Sequence, residues 1–157
     1  MLELEKQILF VAKSLIGYGC IRSKFDNINK FLTCKGPSME PTIYSEDILI
    51  TEHISPRLNR ISRGDVVIAR SPNNPRKHIC KRVTGLSGEK IKCGTTTHIV
   101  PRGHVWLEGD NAFNSTDSRE FGSLPAGLIR GRCVWRIWPL SDLGRLDSLQ
   151  NWQMERF

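Results

Sequence analysis

From Cys34 onward the chain is cut into short apolar runs by Gly- and Pro-bearing connectors, and this punctuation narrows the folds open to it. Runs at 47–52, 65–70, 79–84, 98–100, 105–108 and 128–137 have the length and β-branched content of strands. Between them lie turn signals such as Ser62-Arg63-Gly64-Asp65, Ser71-Pro72-Asn73-Asn74-Pro75 and Ser87-Gly88-Glu89. Many short strands with such connectors predict a mainly β fold, a folded sheet or barrel of short antiparallel strands, and argue against a parallel βαβ sheet.

The first thirty-odd residues follow a different rule. Leu4, Ile8, Val11, Ala12, Leu15 and Ile16 recur at helical spacing, which predicts an amphipathic N-terminal helix. Its most apolar stretch, 8–21, includes Lys13 and Ser14 and falls short of the about 20 apolar residues that a spanning helix needs. A membrane anchor, an interfacial helix and a docking segment therefore all remain open. Glu3 and Glu5 spoil the basic leader of a secretory signal and are atypical of a matrix presequence. The expected organisation is an N-terminal helical segment over 1–33, a β domain over 34–145 and a tail over 146–157.

A chain of 157 residues is long enough for one domain with a real core. The net charge of +7 is concentrated between residues 57 and 82, where Arg57, Arg60, Arg63, Arg70, Arg76, Lys77, Lys81 and Arg82 face the single acid Asp65. That stretch suits an anionic membrane or an acidic partner, or is simply a solvated face. No aromatic residue interleaves with the charges, so a single-strand nucleic-acid platform is not expected. Five scattered cysteines without a Cys-x-x-Cys pair predict no structural zinc, and no metal or other cofactor is expected.

Three segments carry chemistry. Gly36-Pro37-Ser38-Met39-Glu40-Pro41-Thr42 brackets one serine between turn residues, fixing the direction of its hydroxyl and N–H. Cys80-Lys81-Arg82-Val83-Thr84-Gly85 sets a lysine in a strand-like run. Alternation turns Lys81 with Ile79 and Val83, and turns His78, Cys80 and Arg82 to the opposite side. If the Ile/Val side is the core, Lys81 alone among nearby basic residues is driven out of water, which lowers its pKa and frees an amine to act as a base. Gly109-Asp110-Asn111-Ala112-Phe113-Asn114-Ser115-Thr116-Asp117-Ser118-Arg119 is a dense polar loop after the apolar Val105-Trp106-Leu107 run. Asp117 and Arg119 can form an ion pair that braces it. Each segment alone is equally an ordinary turn, strand or polar loop.

In that order and spacing, the three segments resemble the nucleophile, lysine and C-terminal boxes of the type I signal peptidase family, over roughly residues 34 to 140. Gly-His-Val-Trp-Leu-Glu-Gly-Asp-Asn, Gly-Leu-Ile-Arg-Gly-Arg and Ile-Trp-Pro-Leu-Ser-Asp are similar to the small mitochondrial inner-membrane branch of that family. The resemblance implies a Ser/Lys-dyad serine endopeptidase acting on precursor polypeptides bound for the intermembrane space. A related second subunit and inner-membrane lipid would be its partners, and nucleic acid would not. It implies Ser38 as nucleophile, Lys81 as base and Ser115 as the group hydrogen-bonded to the Lys81 amine. Asp117 and Arg119 would hold the loop, and Met39, Ile43 and Cys80 would border the pockets for small side chains before the cut. Many bacterial members have a serine where this chain has Gly36, so the oxyanion donors are expected to start with the Ser38 N–H. Two other classes fit parts of the pattern. A self-cleaving repressor-like protein shares the dyad but carries a DNA-binding domain before the serine, and only 37 residues precede Ser38 here. A non-catalytic β module would tolerate loss of Ser38 and Lys81.

Overall fold

A computed structural model describes residues 29–146; positions 1–28 of the expected N-terminal helical segment and 147–157 of the expected tail lie outside them, and 29–33, expected to end that segment, are a strand paired with the β domain. The described chain is mainly β, as its punctuation predicts. Strands β1 (Asn29–Thr33), β2 (Ile48–Glu52), β3 (Val66–Arg70), β4 (His78–Gly85), β7 (His104–Glu108), β8 (Leu124–Pro125) and β9 (Ile129–Trp138) form one antiparallel sheet. Their order is β1-β2-β9-β3-β4-β7-β8, with β10 (Gly144–Arg145) added to β9. A separate hairpin of β5 (Lys90–Cys93) and β6 (Thr96–Ile99) turns at Gly94. Two one-turn helices, α1 (Ile54–Arg57) and α2 (Ser118–Phe121), punctuate the strands. Among the described residues no helix is long and apolar enough to cross a membrane.

The sheet is packed on both faces. In β3 the run Val66-Val67-Ile68-Ala69 is buried throughout. Val66 and Ile68 join Cys34, Met39, Ile43, Leu49 and Cys133 in one cluster, whereas Val67 and Ala69 join Val83, Val105, Leu107, Leu124 and Ile129 in another. A continuous apolar strand is what burial on two sides requires, because alternate side chains then meet different cores.

β4 lies between β3 and β7, so it inherits this two-sided burial. Lys81 pairs with Val67 and is 4% exposed, as its strand parity predicts. Arg82 departs from expectation: it is 3% exposed and belongs to no solvated face. Strand parity sends it away from the Ile79/Val83 side, but that opposite side is also interior. Arg57, Arg60, Arg63, Arg70, Arg76 and Lys77, by contrast, are exposed.

Candidate active site

The first element of the site is the turn after β1. Gly36 has φ +92°, a left-handed conformation that a side chain would strain, and its N–H donates to the Ser45 hydroxyl (3.3 Å). From Pro37 the chain folds into helical-type turns, with Glu40 N–H on the Pro37 carbonyl (3.1 Å) and Ile43 N–H on the Met39 carbonyl (2.9 Å). The Glu40–Pro41 peptide in this turn is cis. Met39 and Ile43 drop into the first core cluster and anchor the turn, leaving Ser38 half-buried at its lip.

Ser38 and Lys81 line the same cleft, of about 130 Å³. Gly36, Met39, Ile43 and Cys80 border it too, so the turn and β4 come together as expected from sequence. Burial disfavours the Lys81 ammonium and lowers its pKa below the ordinary lysine value, and Arg119 adds to the effect. Cys80, Asp117 and Asp110 pull the other way without overcoming burial. Two thiols in the cleft wall, Cys34 and Cys80, are held protonated. The Cys34 pKa is pushed up by a hydrogen bond with Cys80 and by burial, and the Cys80 pKa is pushed up chiefly by Cys133. These cysteines act as small, nearly apolar wall residues.

The polar loop after β7 closes the site from the other side. Asp117 is fully buried and collects donors: Gly109 N–H (2.8 Å), the Ser115 hydroxyl (2.6 Å), and Arg119 through its N–H (3.1 Å), Nε (2.8 Å) and Nη2 (2.5 Å). Burial alone would raise its pKa; Arg119, the Gly109 N–H and Ser115 outweigh that and hold it below the ordinary aspartate value. The expected Asp117–Arg119 ion pair is therefore present. For Ser115, expected to orient the Lys81 amine, the side-chain bond shown is the one to Asp117. The Ser115 hydroxyl donates its proton to Asp117, which leaves its oxygen available as an acceptor. The loop also reaches the turn, with Asn111 N–H donating to the Ser38 carbonyl (3.2 Å). A Cβ on Gly109 would come within 2.2 Å of Ser115 Oγ and 2.4 Å of the Ser38 carbonyl oxygen.

A second polar knot escaped sequence reasoning. Arg82 donates from Nε and Nη2 to the two carboxylate oxygens of Asp110 (2.8 and 2.7 Å), from Nη1 to the Gly64 carbonyl (2.8 Å), and from Nη2 to Thr42 Oγ1 (3.3 Å). Thr42 in turn donates to Asp110 (2.5 Å). One residue from each of the three segments thus meets in one buried network. The signal available in sequence was their shared membership of the motif boxes. Parity and charge count pointed Arg82 to solvent instead. Among the described residues no group of histidine, cysteine and acidic side chains is arranged to hold a metal ion.

A half-buried serine on a turn and a desolvated lysine thus line one small cleft beside the β sheet, the pair of groups that a Ser/Lys hydrolase requires. The description "Signal peptidase, peptidase S26" matches residues 10–99 and 93–138, so the chain belongs to the S26 signal peptidase family. It is 50% identical over 145 residues to the mouse mitochondrial inner membrane protease subunit 1, covering 88% of this chain and 87% of that protein. Identity to the human subunit 1 is 51% over 143 residues, covering 87% and 86% of the two chains. The Saccharomyces cerevisiae mitochondrial inner membrane protease subunit 2 is 35% identical over 130 residues, covering 76% of this chain and 73% of that protein. These matches favour the peptidase reading over the repressor-like and non-catalytic alternatives.

Proposed function

We propose that this chain is a serine endopeptidase of the mitochondrial inner membrane that removes sorting peptides from precursors delivered to the intermembrane space. In this reading it works beside a related second subunit, its catalytic domain faces the intermembrane space, and the segment 1–33 supplies membrane attachment or docking. Likeness to the inner membrane protease subunits supports the location and the substrate class. The observation that carries the chemistry is the meeting of Ser38 with a buried, pKa-lowered Lys81 in one cleft.

Neutral Lys81 takes the proton from the Ser38 hydroxyl as its oxygen attacks the scissile carbonyl carbon. The Ser38 N–H donates to the oxygen that gains charge. The C–N bond then breaks, and the lysine returns its proton to the leaving amine. The acyl group left as an ester on Ser38 is hydrolysed by a water that Lys81 deprotonates. Met39, Ile43 and Cys80 bound a space that admits only small side chains before the cut. Asp117 and Arg119 fix the loop that supports the turn, and Ser115 acts through Asp117.

Two measurements test this reading. Because only the unprotonated amine is a base, kcat/KM on a precursor-derived peptide is expected to rise with pH and level off below the ordinary lysine pKa of about 10.4. A flat profile from pH 6 to 10, with chemistry limiting, rules Lys81 out as the base. Gly109→Ala is expected to lower kcat by about a hundredfold, since its Cβ would displace the Ser38 carbonyl or Ser115. Wild-type kcat in that variant would show that the loop does not position the serine.

A further inference from the structure

A second, larger concavity opens beside the cleft. It encloses about 620 Å³ and is lined by Leu32, Ile68, Arg57, Arg70 and Arg130 among others. His78 borders both spaces, so the groove adjoins the cleft. The three arginines arrive from separate elements. Arg57 ends α1, Arg70 ends β3 opposite His78, and Arg130 follows the first residue of β9. All three are exposed, and none has a carboxylate partner among the described residues, whereas Arg82, Arg119, Arg132 and Arg136 are ion-paired there.

We infer that this groove is a subsite for the precursor segment upstream of the cut, and that it selects segments bearing carboxylates. The inference rests on the proposed dyad. If Met39, Ile43 and Cys80 border the pockets before the cut, then His78, two residues before Cys80 on β4, leads away from Lys81 and further upstream. At about 3.3 Å per extended residue, the arginines come within reach roughly three to six residues before the scissile bond. Guanidinium groups stay protonated at every working pH, and a concave wall concentrates their field. Leu32 and Ile68 supply an apolar floor for the intervening side chains. A bilayer is the competing source of negative charge. A recessed surface adjoining the cleft suits an extended polypeptide, whereas a lipid surface meets a flat or convex face.

The test uses the full-length protein in detergent and two fluorogenic peptides that differ only by Glu or Gln at positions three to six before the cut. At low ionic strength the Glu peptide is expected to be cleaved with about tenfold higher kcat/KM, carried by KM. Added NaCl should shrink that ratio, and the triple variant Arg57→Gln/Arg70→Gln/Arg130→Gln should bring it to about one. Equal cleavage of the two peptides by the wild type overturns the proposal, as does a ratio that survives in the triple variant. A triple variant that loses binding to phosphatidylserine vesicles while keeping the peptide ratio assigns the arginines to lipid and also overturns it. If neither peptide is cleaved, the dyad reading fails, and fluorescence anisotropy of the labelled peptides then decides the groove alone. Tighter binding of the Glu peptide that vanishes in the triple variant sustains the subsite, and equal binding refutes it.

Discussion

Ser38→Ala, Lys81→Met and the double variant are expected to fall to the same residual rate of peptide cleavage, each losing about 10⁴-fold or more in kcat. Nucleophile and base act in one proton transfer, so once either is gone the other has nothing left to contribute. A double variant slower than both singles by the product of their losses would show that the two residues act independently, and the dyad would be wrong. The same variants separate catalysis from stability. Lys81 binds a proton less readily in the folded than in the unfolded chain, so stability rises with pH between its lowered folded-state pKa and the ordinary lysine value. Below that window the buried ammonium opposes folding. Lys81→Met removes the opposition at similar volume, so its unfolding midpoint at pH 7 is expected to equal or exceed that of the wild type. A clear drop in midpoint would mean that the ammonium has a stabilising partner.

Asp110→Ala is expected to be the most destabilising single change near the site, by about 3–5 kcal/mol in denaturant unfolding. Its carboxylate and the Arg82 guanidinium are 5% and 3% exposed, so removing the aspartate leaves a charge that can neither reach water nor lose its proton. Arg82→Leu should cost less, because Asp110 keeps the Thr42 hydroxyl as a donor, whereas Arg82 without Asp110 keeps its charge with no carboxylate beside it. The order of the two variants is the sharper test. Against a total stability of about 5–15 kcal/mol, the Asp110→Ala loss is enough to unfold a large share of the molecules on warming. If Asp110→Ala were no worse than an exposed Asp142→Ala control, the network joining Thr42, Arg82 and Asp110 would have no energetic weight.

The residues that carry chemistry were legible where residue type and local geometry coincide. Ser38 sits in a turn written by Gly36, Pro37 and Pro41, and strand parity alone placed Lys81 inside. The same parity failed for Arg82, because it separates two sides of a strand without saying that both are interior. That fact belongs to the neighbours β3, β7 and the Ser38 turn, which arrive from distant parts of the chain. β1 was missed because Asn29–Thr33 shows little strand pattern of its own and is held by pairing with β2. The hairpin of β5 and β6 was half seen: 98–100 read as a strand, while Lys90 and Lys92 masked its partner. The bond from Ser115 to Asp117 is a local contact between residues two positions apart, which the motif pattern alone does not specify.

The buried Thr42–Arg82–Asp110 knot has a consequence for the life of the polypeptide before it matures. Its members are 40 and 28 positions apart along the chain, so it forms only when residues 42, 82 and 110 have been brought together. The same closures draw together the Ser38 turn, β4 and the polar loop, so the knot and the catalytic cleft are expected to assemble as one cooperative unit.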